Sequence, residues 1–201
     1  MDIISKSSNR LIATVTDIIE ISKIEAGLIE VFVKEVSVNE MLKKLYDFFS
    51  LEAKNKGLQL RQLPGLSDDK AQIITDNFKL NGILTNMVNN AIKFTEKGSV
   101  TFGYEITTDS KSNPLVQFFV KDTGIGVPKD RQQAIFNHFE QADIEDIRAV
   151  EGSGLGLAIA KSYVEMLGGQ IWLNSEEGVG TEFMFTIPYI LSQKLSKTYS
   201  P

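Results

Sequence analysis

The sequence predicts an α+β fold, with one domain of mixed helices and strands preceded by a separate helix. Apolar residues recur at helical spacing in well-separated stretches, most clearly from Asp76 to Phe94. Between the helical stretches lie short runs at 99–107 and 115–121, joined by a polar turn that is typical of a hairpin. A chain of 201 residues can bury one good core, so we expect a single compact domain with an extension.

The composition excludes several classes of site. The chain has no cysteine and one histidine, which excludes disulfides, thiolate metal sites and histidine-rich zinc sites. Its net charge of -5 comes without a basic stripe, so nucleic acid is not an expected partner. No apolar run approaches the roughly 20 residues of a membrane helix, and we expect a soluble, intracellular segment. Any metal must be a hard cation bound by oxygen atoms.

The first predicted element is an amphipathic helix at 4–26, which Gly27 ends. Its apolar stripe consists of Ile4, Leu11, Val15 and Ile18. This stripe needs a packing surface, and without one we expect the helix to fray, to dock on its own domain or to pair non-natively. Alternating apolar residues at 29–33 predict a strand, which places a domain boundary near residue 28.

The other elements follow from capping residues, turns and periodicity. Ser37 followed by Glu40 is typical of a helix start, and we expect that helix to run to Gly57. Asp76 is the expected N-cap of the clearest helix. The predicted strands are 58–63, 72–75, 99–107, 115–121, 170–175 and 181–188, and the remaining predicted helices are 76–94, 131–137 and 155–167.

One side of the helix at 76–94 carries a candidate cation site. Asn86 and Asn90 are four residues apart and Lys93 follows three further on, so the three side chains lie on roughly one side. Amide oxygens suit magnesium, and an ammonium group beside them can neutralise phosphates. Taken alone, this spacing is more often just a solvated helix face.

Glycine-rich segments supply the other candidate residues. Asp122, Gly124 and Gly126 follow a strand, where a carboxylate can accept a hydrogen bond from an exocyclic amine, although an ordinary turn reads the same way. The segment 152–156 precedes an apolar helix, so its N–H groups can cradle phosphates, or it can be a hinge or a tight helix start. The last glycine turn, 178–181, alone predicts only a hairpin.

The order of these segments is more specific than any one of them. The succession NxxxNxxK, DxGxG, FxxF, GxGLGL and GxGTxF, from Asn86 to Phe183, resembles the N box, first glycine box, F box, second glycine box and third glycine box of the sensor histidine kinase ATP-binding domain, in the gyrase, chaperone, histidine kinase and MutL superfamily. The segment 9–27 looks like the second helix of that family's dimerisation and phosphoacceptor domain.

The resemblance implies a two-layer α/β sandwich of three helices on a mixed, mainly antiparallel sheet, with ATP and Mg²⁺ between the N-box helix and a mobile lid. Asn90 would be the principal Mg²⁺ ligand with Asn86 beside it, and Asp122 would read the adenine amino group. The implied catalytic residues are Asn86, Lys93 and Arg148, with Lys93 and Arg148 reaching phosphates. The implied nucleotide-binding residues are Asn90, Asp122, Gly124, Gly126, Gly152, Gly154, Leu155, Gly156 and Thr181. Phe136 and Phe139 would pack the near end of the lid.

The resemblance also implies an organisation for the chain and its parent. Residues 1–27 would belong to a truncated dimerisation domain, 28–191 to the ATP-binding domain and 192–201 to a polar tail. The parent would be a homodimer that passes phosphate from ATP to its own histidine and then to a response-regulator receiver domain. This segment would be cytoplasmic, with a parent that could be anchored in the inner membrane. The single histidine, His138, lies within the F box, so we expect the phosphoacceptor outside this sequence.

Three other classes of protein are weighed against a histidine kinase. Gyrase-type and chaperone-type ATP hydrolases place a glutamate where this chain has Asn86, and an amide cannot act as a general base. A nucleotide-sensing module would bind ATP without transferring phosphate. A serine kinase of the anti-sigma type shares the fold, but that class lacks a helix like the one predicted before residue 28.

Overall fold

The computed structural model describes residues 2–137 and 154–191, in which helices and strands follow one another along the chain. The helices of this part are α1 (Asp2–Glu25), α2 (Val38–Asn55), α3 (Asn77–Phe94) and α4 (Gly156–Met166), with a 3₁₀ turn at Ala134–Phe136. The strands are β1 (Lys34–Ser37), β2 (Gln59–Leu63), β3 (Gln72–Thr75), β4 (Ser99–Thr108), β5 (Pro114–Asp122), β6 (Gln170–Glu176) and β7 (Gly180–Pro188).

In the described part of the chain the main sheet has five strands, in the order β2-β4-β5-β7-β6. Only its β2/β4 pair is parallel, and β1 forms a separate antiparallel pair with β3. Phe102, Phe118 and Phe185 are fully buried on this sheet, and the rings of Phe118 and Phe185 stack at 4.8 Å. Helices α2, α3 and α4 contribute to the same core. The predicted α+β sandwich of three helices on a mixed, mainly antiparallel sheet is confirmed.

Helix α3 forms because its start is capped and one side is apolar throughout. The Asp76 carboxylate accepts hydrogen bonds from the N–H groups of Phe78 and Lys79, at 2.9 and 3.1 Å. The buried residues of the helix include Leu80, Ile83, Leu84, Met87, Val88, Ala91 and Ile92. Since these positions take up the core side, Asn86, Asn90 and Lys93 are only half-buried. The packing of α3 therefore orients the candidate cation site.

The predicted strand at 29–33 is wrong, because the first strand begins at Lys34. Side chains from the start of α3 bind the main chain of this segment instead of a neighbouring strand. The Phe32 N–H donates to Asp76 Oδ2 at 2.9 Å, and Lys79 Nζ donates to the Glu30 carbonyl at 2.6 Å. The predicted helix at 131–137 is likewise shorter, a 3₁₀ turn at Ala134–Phe136.

Helix α1 docks on the domain through its last turns. Ile21 is 5% exposed and joins the core, Ile24 packs against it, and the Tyr163 hydroxyl of α4 donates a hydrogen bond to the Glu20 carboxylate. Three residues of the predicted stripe remain exposed: Leu11 is 66%, Val15 47% and Ile18 42% accessible. No helix within 2–137 and 154–191 combines the length and apolar character needed to cross a membrane.

Asp76 and Lys79 form a buried ion pair at the start of α3. Both side chains also bind the main chain of the segment between α1 and β1. Lys79 Nζ lies 2.9 Å from Asp76 Oδ2, and each side chain is 4% exposed. Burial alone would raise the pKa of Asp76, but hydrogen bonds from Lys79 and from the Phe32 N–H outweigh it and hold that pKa below its usual value. Because the folded pKa is lowered, this contribution to stability is present above roughly pH 4 and is lost as the pH falls.

We expect the substitution Lys79→Met to lower the free energy of unfolding by about 3–5 kcal/mol, because it leaves the buried Asp76 carboxylate without its partner. Lys44→Met is the matched control, since Lys44 lies 3.9 Å from Glu40 in a pair whose side chains are 80% and 73% exposed. Its expected effect is within about 0.5 kcal/mol. Urea unfolding of both variants measures the difference, and equal losses would show that the buried pair has no special role.

Candidate functional site

Asp122, at the end of β5, is a buried carboxylate with one oxygen already engaged. It is 6% exposed, and its Oδ1 accepts hydrogen bonds from the N–H of Gly124 at 2.8 Å and the N–H of Thr181 at 3.3 Å. Burial raises the pKa of Asp122, and these two N–H bonds only partly oppose that effect. Both main-chain donors bind Oδ1, and Oδ2 can accept a hydrogen bond from a donor of a ligand, such as an amine.

The loop that follows Asp122 lies against the end of α3. A Cβ added to Gly124 would overlap the carbonyl of Phe94, and the Ile125 N–H donates to that same carbonyl at 3.3 Å. Lys56, from the end of α2, completes the junction by donating to the carbonyls of Ile92 and Lys93 at 2.7 and 3.1 Å. The glycine therefore permits a backbone approach that brings the 122–126 loop next to the end of the N-box helix.

The last glycine turn packs against the same loop, backbone to backbone. Gly126 has φ +71°, and a Cβ there would overlap the Glu176 carbonyl, while a Cβ on Gly180 would overlap the carbonyl of Asp122. The Gly178 N–H donates to the Ile125 carbonyl at 2.7 Å. These contacts place Thr181, which is 6% exposed, beside Asp122. Two segments about 55 residues apart in the sequence thus form one wall of the site.

The start of α4 forms a second boundary, against Asn86. A Cβ added to Gly156 would lie 3.2 Å from Asn86 Oδ1. The helix begins without a side-chain cap from Leu155 and without an acidic residue in its first turn. Its first N–H groups and the positive end of the helix dipole therefore suit an anionic ligand beside the N-box amides.

The structure places the predicted site residues that it describes in two groups of contacts along α3. Asp122, Gly124, Gly126 and Thr181 form one group near the end of α3, and Asn86 and Gly156 form the other. Gly154 (φ +72°) and the buried Leu155 lead into α4, and Asn90 and Lys93 lie on α3. Lys93 Nζ lies 4.5 Å from the centre of the Phe94 ring. Phe136 of the F box packs edge-on against Phe183 at 6.2 Å. Arg148, Gly152, His138 and Phe139 lie outside the described residues.

Sequence reasoning missed two residues that hold this arrangement together. Lys56 caps the carbonyls at the end of α3, and Ser175 contacts both the 122–127 loop and the last glycine turn. Lys56 carries no sequence signal, because a lysine at a helix end is usually solvated. Ser175 did carry one, since the two strands predicted at 170–175 and 181–188 place Ser175 and Thr181 opposite each other in a hairpin.

The described residues fit a nucleoside triphosphate with a divalent cation. Asp122 supplies an acceptor for a base, and Gly156 lets the N–H groups at the start of α4 lie close to Asn86, because an added Cβ would crowd the Asn86 amide. Within 2–137 and 154–191 no cluster of three histidine, cysteine or acidic side chains could hold a metal ion. The amide oxygens of α3 and the phosphates of a bound nucleotide are ligands of the kind that Mg²⁺ takes together with nucleotides.

Sequence comparison finds sensor kinases among the relatives. The chain is 34% identical over 189 residues to the autoinducer 2 sensor kinase/phosphatase LuxQ of Vibrio parahaemolyticus, a match that covers 94% of the chain and 22% of the relative. It is 35% identical over 190 residues to hybrid signal transduction histidine kinase B of Dictyostelium discoideum, covering 94% of the chain and 10% of the relative. The chain thus spans no more than about a quarter of the length of these relatives.

Solved structures of histidine kinases have the same fold as this chain, and a family model that matches the chain identifies its family. Full-length ShkA in complex with AMPPNP superposes with a TM-score of 0.78 at 30% identity, over 92% of this chain and 37% of that one. The nucleotide-free catalytic domain of histidine kinase ThkA superposes with a TM-score of 0.65 over 81% of this chain and 97% of that one, and at 23% identity that likeness shows the fold alone. The family described as histidine kinase-, DNA gyrase B-, and HSP90-like ATPase matches residues 75–190. Since this match spans more than half of the chain, the resemblance inferred from motif order is confirmed, and the chain belongs to the histidine kinase-, DNA gyrase B- and HSP90-like ATPase family.

Proposed function

We propose that this chain binds ATP with Mg²⁺ and, within its complete protein, transfers the γ-phosphoryl group of ATP to a histidine of a phosphoacceptor domain. The proposal rests on two features of the site that both lie along α3. The Asp122 carboxylate, buried beside Thr181, forms one end, and the start of α4 against Asn86 forms the other. An acceptor for the adenine amine and a cradle for the phosphates therefore both lie against α3, the first near Phe94 and the second near Asn86.

Each site residue then has a proposed role. Asn90 and Asn86 are the Mg²⁺ ligands, and Lys93 neutralises phosphate charge. Mg²⁺ supplies charge neutralisation on the phosphates when it is bound. The first N–H groups of α4 hold the phosphates, with Gly152, Gly154, Leu155 and Gly156 forming the approach to that helix. Arg148 approaches the terminal phosphate. The wall formed by Gly124, Gly126 and Thr181 borders the adenine base.

Asn86 supports a kinase over an ATP hydrolase. Its amide oxygen faces the start of α4, where the hydrolases of this superfamily would place a carboxylate. An amide cannot take a proton from water, so bound ATP stays intact until another nucleophile arrives. An imidazole attacks without such help, and positioning together with charge neutralisation then contributes most of the catalysis.

The exposed stripe of α1 supports a wider proposal for the complete protein. Leu11, Val15 and Ile18 are 42–66% exposed on a helix whose last turns are docked. We infer that residues 1–27 belong to a dimerisation domain, that 28–191 form the ATP-binding domain and that 192–201 form a polar tail. The complete protein would be a homodimeric sensor kinase that passes phosphate on to a receiver domain. Its ATP-binding part would lie in the cytoplasm, and the protein could be anchored in the inner membrane.

A transfer assay in trans tests the proposed function. The purified chain is mixed with γ-labelled ATP, Mg²⁺ and a second polypeptide that carries the phosphoacceptor helix of a related sensor kinase. We expect label on that polypeptide which is lost in acid and retained in base, as expected for phosphohistidine. ATP binding without any transfer would instead support the nucleotide-sensing module, and steady release of inorganic phosphate would support a hydrolase.

The raised pKa of Asp122 gives a pH dependence that separates its role from general effects. Because burial raises the pKa of Asp122, lowering the pH protonates the carboxylate and removes an acceptor for the adenine amine. We expect the affinity of the native chain for Mg-ATP to fall more steeply as the pH is lowered than that of Asp122→Asn, which has no carboxylate to protonate at this position. Calorimetric titrations at several pH values measure this, and parallel curves for the two proteins would contradict it.

A further inference from the structure

The hydroxyl group of Ser175 lies at the centre of three contacts. The Val127 N–H donates to Ser175 Oγ at 2.7 Å, Ser175 Oγ donates to the Gly180 carbonyl at 2.9 Å, and Ser175 Oγ lies 2.9 Å from Thr181 Oγ1. Ser175 and Thr181 face each other across the β6/β7 pair. The serine thus joins the 122–127 loop to the strand that carries Thr181.

Counting protons gives the direction of the bond between the two hydroxyl groups. A serine hydroxyl has one proton to donate and two lone pairs with which to accept. The Gly180 carbonyl can only accept, so it takes the proton of Ser175. The Val127 N–H can only donate, so it takes one lone pair. The remaining lone pair of Ser175 must then accept the proton of Thr181.

This direction decides what Thr181 can offer to a ligand. Its only hydroxyl proton points to Ser175, so towards the site Thr181 Oγ1 presents lone pairs alone. The neighbouring Asp122 carboxylate, bound through Oδ1 to the Thr181 N–H, is also an acceptor when ionised. Gln132 Nε2 donates to the carbonyls of Val127 and Ser175 at 3.0 Å each, which further restrains the loop against β6. Two adjacent acceptors favour a base with an amine at this edge and disfavour a base with a carbonyl there.

We propose that Ser175 is a specificity-determining positioning residue: it holds the Thr181 hydroxyl as an acceptor, so that the site takes 6-aminopurine nucleotides and rejects 6-oxopurine nucleotides. The proposal rests on the proposed function, in which Asp122 and Thr181 border the base. Ser175 does not touch the base in this account and acts through Thr181 alone.

The test compares the dissociation constants of Mg-ATP and Mg-ITP, which differ at positions 1 and 6 of the purine. We expect ITP to bind to the native chain much more weakly than ATP. We expect Ser175→Ala to lower the ITP/ATP ratio of dissociation constants by about five- to tenfold, the effect of one hydrogen bond, because the released Thr181 hydroxyl can turn its proton to the carbonyl of ITP. A purely structural role would weaken both nucleotides alike and leave the ratio unchanged, which would overturn the proposal.

Two further comparisons show whether Ser175 acts through Thr181. When Ser175→Ala is added to Thr181→Val, the ITP/ATP ratio of dissociation constants should stay that of Thr181→Val alone. A drop as large as the one that Ser175→Ala causes in the native chain would overturn the proposal. Ser162→Ala is the matched control, because the Ser162 hydroxyl only donates to the Ala158 carbonyl within α4, and its ratio should equal that of the native chain.

The remaining outcomes are also decisive. If Ser175→Ala binds neither nucleotide, the variants Thr181→Val and Thr181→Ser are tested in its place. The proposal requires that Thr181→Val lowers the ITP/ATP ratio of dissociation constants and that Thr181→Ser keeps the native ratio. A native ratio in both would overturn it. A native chain that binds neither nucleotide would overturn the proposed function itself, whereas strong ATP binding with an unmoved ratio would overturn the role of Ser175 alone.

Discussion

Replacing Asp122 by alanine is expected to raise the dissociation constant for Mg-ATP about 100-fold. The variant loses a charged acceptor for the adenine amine, and a hydrogen bond to a charged group contributes about 1.5–3 kcal/mol. It also removes the oxygen that binds the N–H groups of Gly124 and Thr181, so the wall beside the base loses its alignment. Isothermal titration calorimetry measures the loss directly.

Asp109→Ala is the matched control for this change. The Asp109 carboxylate also accepts two main-chain hydrogen bonds, from Lys111 and Asn113 at 2.8 Å each, but it lies in the exposed turn between β4 and β5. We expect that variant to bind Mg-ATP as the native chain does. An equal loss in both variants would mean that loosening a loop, and not removing a base-reading carboxylate, accounts for the effect.

The pKa of Asp122 gives a further reason to assign it a function. Burial raises the pKa of Asp122 above its value in an unfolded chain, so the folded state binds the proton more tightly. The free energy of unfolding therefore falls as the pH rises from the unfolded pKa through the folded pKa. The ionised carboxylate therefore opposes folding at neutral pH. We expect Asp122→Asn, which keeps an acceptor for the two N–H groups, to weaken ATP binding without lowering the melting temperature.

The second large effect is expected from Asn90→Ala, which removes the principal proposed Mg²⁺ ligand from α3. Affinity for ATP should no longer increase when Mg²⁺ is added, and the rate of transfer to a histidine in trans should fall at least about 100-fold, since charge neutralisation on the phosphates is a main part of phosphoryl-transfer catalysis. Titrations with Mg²⁺ and with a chelator, together with the labelled transfer assay, measure both quantities.

Asn89→Ala provides the internal control, because Asn89 is the neighbouring amide on the same helix and is exposed. Successive residues of a helix point about 100° apart, so Asn89 cannot share the direction of Asn90. Its variant should keep the Mg²⁺ dependence and the transfer rate. A loss of Mg²⁺ dependence in Asn89→Ala, or its survival in Asn90→Ala, would contradict the assignment of the metal ligand.

The elements best predicted from the sequence are those that local chemistry specifies. Helix α3 has a carboxylate cap at Asp76 and an uninterrupted apolar stripe, and its predicted limits agree with the observed Asn77–Phe94. The hairpin of β6 and β7 follows from two alternating runs around one glycine turn, and it too was predicted within a residue at each end. In both cases the signal lies within the element itself.

The predicted strand at 29–33 failed because its main-chain partners are distant in the sequence. Alternation of apolar residues there is real, yet Phe32 and Val33 are 70% and 61% exposed. The side chains of Asp76 and Lys79, more than 40 residues away, bind the Phe32 N–H and the Glu30 carbonyl. Periodicity describes which faces a segment offers, whereas long-range side-chain hydrogen bonds decide whether it joins a sheet.

In the candidate site, too, the sequence indicates the residue types but not the contacts between distant segments. The residue types of the motifs and their order in the sequence were sufficient to propose which residues would carry chemistry. The contacts between motifs were not predictable, because the approach of Gly156 to Asn86 and the bonds of Ser175 to Val127 and Thr181 depend on how separate elements pack. Such positioning residues have ordinary side chains, and only the folded chain shows what they hold.

The central claim is that one nucleotide binds between the α3 helix, the loop after β5, the last glycine turn and the start of α4. A map of backbone amide shifts during titration with Mg-ATP tests this most directly. We expect saturable shifts concentrated at 86–94, 122–127, 154–157 and 178–181, with little change in the β4–β5 turn at 109–113. Absence of shifts, or shifts gathered on another surface of the domain, would contradict it.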